Sequence, residues 1–427
     1  MRIIFYVLVT AVAALVTWVF SILILKLSHR YRLYPKIRTR DVHTRPTPRL
    51  GGVAIFFGIV AAFGLSAFIP QLQGVFSDSG TEILAILLAS LIIVIMGVID
   101  DLWDLDWLTK LAGQIIAAGV LAFGGLQLTN IPFGAIIVQS AFPSLLLTVF
   151  AVVLVMNAVN FIDGLDGLVA GVAIIANGTF FVYTYLQQSA NNLDYFNLAA
   201  LVTAVLIGGC IGFLPLNFHP AKMFMGDAGA LLVGLLMAVS AISVTTVIDP
   251  GSVSSGRIDH GVVFAGYIPI LLPLAILVLP LLDFGLAVLR RLRAGKSPFS
   301  ADRKHLHHRL LDMGHTHLHA VLIFYAWTAV ASISVLSFLF VPWWWSLAIL
   351  AAGFIATTAF TVAPLSKRKR AEARVQRAGQ GSVGGDAAIA KLDPLDAAAD
   401  TMAVGTGPTD AEAEVVLDRL DEKGATS

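Results

Sequence analysis

The sequence predicts an all-α, polytopic membrane protein with about eleven transmembrane helices, its N-terminus outside and its C-terminus cytoplasmic, and three observations carry that expectation. Of 427 residues, 57% are hydrophobic and only 13% charged, with a mean hydropathy of +0.84, well below the charged fraction of about 25% usual in soluble domains. Windows of roughly 20 apolar residues, each long enough to cross about 30 Å of hydrocarbon, recur eleven times. The basic residues alternate by loop: with the N-terminus outside, 26 of the 28 Lys and Arg fall on the inner side, and only Arg2 and Arg257 stay outside. That asymmetry follows the positive-inside rule.

The windows are 3–25, 50–69, 82–99, 110–127, 143–159, 167–187, 196–214, 229–248, 261–289, 319–340 and 343–364. The first carries Arg2 and small residues, as a secretory leader would. Its length and the strongly basic loop that follows it at once fit a retained span better. The ninth contains Pro269, Pro273 and Pro280, which remove backbone donors and are expected to kink or break it. Residues 1–365 are read as a multi-span membrane domain and 366–427 as a cytoplasmic tail. The tail is rich in Ala, Gly, Asp and Glu, without aromatic residues, and is expected to be disordered. Its basic start, Lys367 to Arg370, would tie the last helix to anionic lipid. Cys210, the single cysteine, excludes an intramolecular disulfide and reads as a packing residue in an apolar run. The net charge of +1, split by membrane side, offers nucleic acid no pooled basic patch.

Polar residues beside a bilayer core are expensive and need a reason. The most concentrated set is Asn157 to Gly171, where Asn157, Asn160, Asp163 and Asp166 stand three residues apart between apolar runs. On a helix that spacing puts them near one face, able to converge on a ligand; an ordinary interfacial turn is the plainer alternative. Asp100 and Asp101 close the third window and Lys110 opens the fourth. Adjacent carboxylates repel unless a proton or cation offsets them, and hard oxygen ligands beside phosphate suit Mg²⁺, which takes one or two carboxylates and fills its shell with phosphate and water. Asp104 and Asp106 read as solvated loop acids. The next inner loop, Asn217 to Gly229, carries Lys222 and ends on Asp227, placed to cap the eighth window; Gly226 and Gly229 let backbone approach a phosphate or metal closely.

Past the ninth window, six of the ten histidines fall between His305 and His319, among Arg and Lys. Zinc is disfavoured there, since no Cys partner is present and the setting is cationic. A diphosphate-bearing ligand fits a cationic loop with imidazole donors better. The early loop adds Arg45 and Arg49, stiffened by prolines.

Asp100-Asp101 with Lys110, the Asn157 to Gly171 block, Phe224-Met225-Gly226-Asp227 and His305-Leu306-His307-His308 occur in the order and relative placement of the polyprenyl-phosphate N-acetylhexosamine-1-phosphate transferases. The chain resembles this family of integral membrane enzymes, which start lipid-linked glycan synthesis, from about Thr44 to Leu311. Leu306 within the histidine run, and the approach Asp302-Arg303-Lys304-His305, resemble the branch that transfers GlcNAc-1-phosphate to undecaprenyl or decaprenyl phosphate. The sibling branch, which transfers phospho-MurNAc-pentapeptide, usually has three consecutive histidines.

The resemblance implies that UDP-GlcNAc and polyprenyl phosphate give polyprenyl-diphosphate-GlcNAc and UMP, with Mg²⁺, or Mn²⁺ in its place. It implies metal ligation by Asp227, with Asp101 supporting the ion or its water. Asp100 would position or deprotonate the lipid phosphate, and Asp163 and Asp166 complete the catalytic set on the nucleotide side. Thr47, Lys110, Asn157, Asn160, Asn217, Arg303, His305, His307 and His308 would bind substrate. The implied setting is the bacterial inner membrane with the site on its cytoplasmic face, serving a cell-envelope glycan, with a homodimer as one arrangement. Two alternatives stay open: the MurNAc-pentapeptide transferase, and a secondary transporter. Transport sites tend to lie near the bilayer midplane in repeated halves, whereas here the ionisable residues gather at one face and no internal repeat is present.

Overall fold

Every apolar window lies on a helix in the computed structural model, which describes residues 2–31, 47–128, 140–190, 197–246, 260–293, 295 and 306–381. The helices are α1 (Arg2–Tyr31), α2 (Gly51–Phe68), the short α3 (Gln73–Asp78), α4 (Gly80–Trp103), α5 (Trp107–Phe123), α6 (Ala141–Ile162), α7 (Leu168–Ala190), α8 (Leu198–Asn217), α9 (Gly226–Thr246), α10 (His260–Arg293), α11 (Leu306–Asp312), α12 (His317–Ser337) and α13 (Trp343–Gly381). Among the described residues nine are long and apolar enough to cross a membrane, and ten with α10 counted as one bent span. The remaining expected span is α5, whose 17 residues fall short of the roughly 20 that a full crossing takes. The protein is therefore an all-α polytopic membrane protein with nine or ten candidate spans among the described residues, short of the eleven expected, and α5 is a shorter apolar helix.

The proline-rich ninth window breaks as expected: Leu271–Val278 and Pro280–Arg293 meet at 60°, where Pro280 has no N–H to continue the ladder. The chain divides into two units, Met1–Pro364 and Leu365–Ser427. Helix α13 runs to Gly381, past Ser366, where the disordered tail was expected to begin; residues 382–427 of that tail lie outside the described residues.

Within the first unit α9 is the axis. A whole 18-residue window of it is buried, and it packs on α2, α4, α6, α7 and α8. Lipid is as apolar as leucine, so close packing of small residues has to hold such helices together. A Cβ on Gly97 of α4 or on Gly52 of α2 would strike the backbone at Ala228 and Gly229, so both helices cross α9 at its N-terminal end in near-contact. Backbone bonds finish this junction. Gly51 N–H donates to the Phe224 carbonyl at 3.1 Å, Gly52 N–H to Met225 at 3.0 Å, and Phe224 N–H to Pro48 at 2.8 Å. Because successive spans alternate direction, the ends of α4, α6 and α8 and the starts of α2, α5, α7 and α9 gather at one end of the bundle.

Candidate active site

The site begins with how α4 stops. Asp104 takes a left-handed conformation at φ 58°, with its N–H on the Asp100 carbonyl at 2.8 Å. Two residues later Asp106 caps α5, accepting the N–H groups of Leu108 and Thr109 at 3.0 and 3.1 Å and the Thr109 hydroxyl at 2.6 Å. That hydroxyl, then the backbone donors, hold the Asp106 carboxyl below its ordinary value. Both acids are exposed, as expected, and both shape the turn that sends Lys110 back over the end of α4.

Lys110 reaches two acids from different helices. Its Nζ lies 2.6 Å from Asp100 Oδ2 and 3.2 Å from Asp227 Oδ2. Asp100 is turned inward, its side chain 6% exposed and its other oxygen accepting the Leu105 N–H at 2.8 Å. Asp227 is 34% exposed. Its Oδ1 also accepts from Asn160 Nδ2 at 3.3 Å. One ammonium thus offsets two carboxylates that would otherwise repel.

Asp227 does not cap its own helix. Asp101 does so from α4, its two oxygens accepting the N–H groups of Asp227 at 3.2 Å and Ala228 at 3.4 Å, where the positive end of the α9 dipole favours an anion. The paired acids of α4 therefore part company, Asp100 to a lysine and Asp101 to a helix terminus. Gly226, at φ +70°, allows this: a Cβ there would meet the Arg49 carbonyl and the Asp101 carboxylate.

The Asn157 to Asp166 block does not present one helical face, because α6 ends at Ile162. Only Asn157 and Asn160 keep the helical register. Asn157 Nδ2 donates to Gln114 Oε1 of α5 at 2.5 Å and to the Val153 carbonyl at 2.8 Å, while Asn160 turns to Asp227. Asp163 sits just past the helix, half-buried. Burial, then the Asp227 carboxylate, push its carboxyl up to about 7, with Asp166 adding to the shift and Arg49 opposing it. Asp166 is buried and points to the 217–222 loop, accepting His219 Nδ1–H at 2.8 Å and the Ala221 N–H at 3.1 Å. Asn217 braces the same loop: its Nδ2 donates to the Met223 carbonyl at 3.0 Å, and its Oδ1 accepts the Gly167 N–H at 3.1 Å.

Of the other expected residues, Thr47 is half-buried beside Pro48, at the strand of backbone that pairs with Phe224. Lys222 is exposed on its loop. Arg303 and His305 lie outside the described residues. His307 and His308 fall on α11, but their side chains lie outside what is described. The later histidines have separate duties. His315 Nε2 meets the Thr361 carbonyl at 2.8 Å and His319 meets the Thr316 hydroxyl at 2.7 Å, whereas His317 stacks on His219 with ring centroids 5.4 Å apart.

Four residues that the sequence reading left aside or gave little weight prove to hold the site. Gln114 anchors Asn157, Arg49 sets its charge against Asp163, and His219 pairs with Asp166. Tyr325 donates its hydroxyl to the Gly167 carbonyl at 2.5 Å, pinning the turn after Asp166 to α12. Gln114, buried in a polar-poor helix, was the one with a readable signal, since a buried amide requires a partner.

Residues 83–245 match the profile of glycosyl transferase family 4. The chain is 40% identical over 368 residues to the decaprenyl-phosphate N-acetylglucosaminephosphotransferase of Mycobacterium leprae, covering 85% of this chain and 91% of that protein. It is 30% identical over 381 residues to the undecaprenyl-phosphate alpha-N-acetylglucosaminyl 1-phosphate transferase of Escherichia coli O157:H7, 86% of this chain and 95% of that one. Similarity to the phospho-N-acetylmuramoyl-pentapeptide-transferase of Desulforudis audaxviator, 33% identical over 256 residues, spans 54% of this chain and 74% of that protein. The profile falls on α4 to α9, the helices whose ends build the acid and amide cluster, and with relatives matched along nine-tenths of their length the chain belongs to glycosyl transferase family 4.

Proposed function

We propose that the protein transfers GlcNAc-1-phosphate from UDP-GlcNAc to a polyprenyl phosphate of the decaprenyl or undecaprenyl type, releasing UMP, at the cytoplasmic face of the bacterial inner membrane. The observation that carries this reading is the Asp100–Lys110–Asp227 bridge, at 2.6 and 3.2 Å, built from three helices at one end of the bundle. A lipid phosphate oxygen attacks the phosphorus bonded to GlcNAc, a new P–O bond forms, and the bond to the UMP phosphate breaks. Both reactants are anionic, so the task is positioning and charge neutralisation. Lys110 supplies a fixed positive charge, Asp100 holds that ammonium in place from the buried side, and Asn160 orients Asp227.

The donor set fits a hard divalent cation such as Mg²⁺ or Mn²⁺. Among the described residues no three His, Cys, Asp or Glu side chains form a ready cage. That suits an ion which takes one or two carboxylates and completes its shell with phosphate and water. Asp227, the partly open acid, would be its main holder, with Asp101 behind it; when bound, the ion would neutralise the diphosphate. The placement of the ionisable cluster at helix ends, away from the bundle's middle, separates this reading from a transporter with a midplane site.

The test is UMP release by the purified full-length protein in detergent, with Mg²⁺, a defined polyprenyl phosphate and either UDP-GlcNAc or UDP-MurNAc-pentapeptide. Release with UDP-GlcNAc and a lipid product of matching mass is expected. Turnover of the pentapeptide donor alone would reassign the branch, and no release with either donor would refute the transferase reading.

A further inference from the structure

Asp283 is an acid that neither the sequence motifs nor the proposed mechanism uses. It lies on α10 after the Pro280 break, between Leu282 and Phe284, and is 3% exposed. A carboxylate buried in an apolar helix is costly unless it satisfies a specific donor. Its Oδ1 accepts the backbone N–H of Leu306, 23 residues away, at 2.8 Å. Leu306 is the first residue of α11, flanked in sequence by His305 and His307. The same stretch of α10 grips the end of α6. Phe284 packs edge-on against Phe161 at 5.1 Å, and the Arg291 guanidinium sits 5.3 Å over the Phe161 ring. Phe161 directly follows Asn160, the donor to Asp227.

We propose that Asp283 is a positioning residue for this transferase, holding the first turn of α11, and with it the histidine run, in fixed relation to the end of α6. One carboxylate and one backbone N–H join the histidine segment to α10, and Phe284 and Arg291 of α10 pack on Phe161 of α6, the helix that orients Asp227. This inference rests on the transferase reading, and its test includes a readout independent of turnover.

Asp283→Asn keeps an oxygen that can accept the Leu306 N–H; Asp283→Ala removes it. A spin label at Arg309→Cys, exposed on α11, reports the mobility of that helix, since the native Cys210 is buried. Loss of a hydrogen bond to a charged group predicts that Asp283→Ala raises the KM for UDP-GlcNAc about tenfold or more and mobilises the label. Asp283→Asn should keep KM within about threefold of the parent and the label immobile. Should Asp283→Ala fail to fold, Leu306→Pro removes the donor instead, at a first helical position that tolerates proline, and is expected to give the same raised KM and freed label. An immobile label in Asp283→Ala or in Leu306→Pro, an Asp283→Asn as impaired as Asp283→Ala, or a lower kcat with unchanged KM would each overturn the proposal. A parent protein that releases no UMP would refute the transferase reading while leaving the label to judge Asp283.

Discussion

The Asp101 carboxylate on α4 accepts the backbone N–H of Asp227 on α9 at 3.2 Å, so one acid of the site fixes the helix start that presents another. Two residues 126 apart in sequence act as a single support. Variants of Lys110, Asp227, Gly226 and Asp163 probe that junction and the charges beside it.

Lys110 is the shared counter-charge of Asp100 and Asp227. Lys110→Met should lower UMP release on the order of 10²- to 10³-fold, the usual cost of removing a preorganised charge. Asp227→Asn should lower turnover at saturating Mg²⁺ on a similar scale, about 10²-fold or more, with the fold intact by size-exclusion chromatography. Near-normal rates in either variant would remove that residue from the site.

Gly226 is the hinge of the junction. At φ +70°, with the Arg49 carbonyl and the Asp101 carboxylate where a Cβ would go, Gly226→Ala meets both backbone strain of about 1–3 kcal/mol and a steric collision. A lower Tm together with strongly reduced activity is expected. A variant with parental Tm and parental rate would show that the close approach is not required.

Asp163 titrates at about 7 in the folded protein against a reference value of 3.8. Between those values the folded state keeps a proton that the unfolded state has lost, so stability falls as pH rises. This contribution is fully present below about 4 and is lost as pH passes 7. Thermal unfolding in detergent without divalent cation should therefore show a decline from pH 4.5 to 7.5 that is flatter in Asp163→Asn. Equal slopes would show that burial and the Asp227 carboxylate do not hold the Asp163 carboxyl up.

The described residues that build the site lie between Thr47 and Tyr325. Deleting residues 379–427, whose composition is expected to support no packed core, should leave UMP release within about twofold. An inactive truncation that stays monodisperse would assign the tail a role in the reaction.

The membrane plan was legible because a hydrocarbon slab imposes a length on every crossing, and each apolar window returned as a helix. The acids and amides were legible as a set because their burial cost beside lipid marks them. Their pairing was not. Asn157 and Asp166 share a spacing rule with Asn160 and Asp163, yet the helix stops at Ile162; Asn157 goes to Gln114 and Asp166 to His219, while Asn160 and Asp163 both face Asp227. Asp101 caps α9 where Asp227 was expected to, since a cap can come from another helix as readily as from the first residue of its own. His219, Arg49 and Tyr325 gain their importance only from what folding brings beside them.

The shortness of α5 has a consequence for the acceptor. Seventeen residues make a rod about 26 Å long, several ångströms short of a hydrocarbon core of about 30 Å, and a bilayer crossed by so short a rod would thin around it. Lys110 is in the first turn of that rod. On the proposed transferase reading, a dimple there would let a lipid headgroup settle to the depth of the ammonium while its tail stays in oil, so that the acceptor would reach the reacting centre without leaving its leaflet.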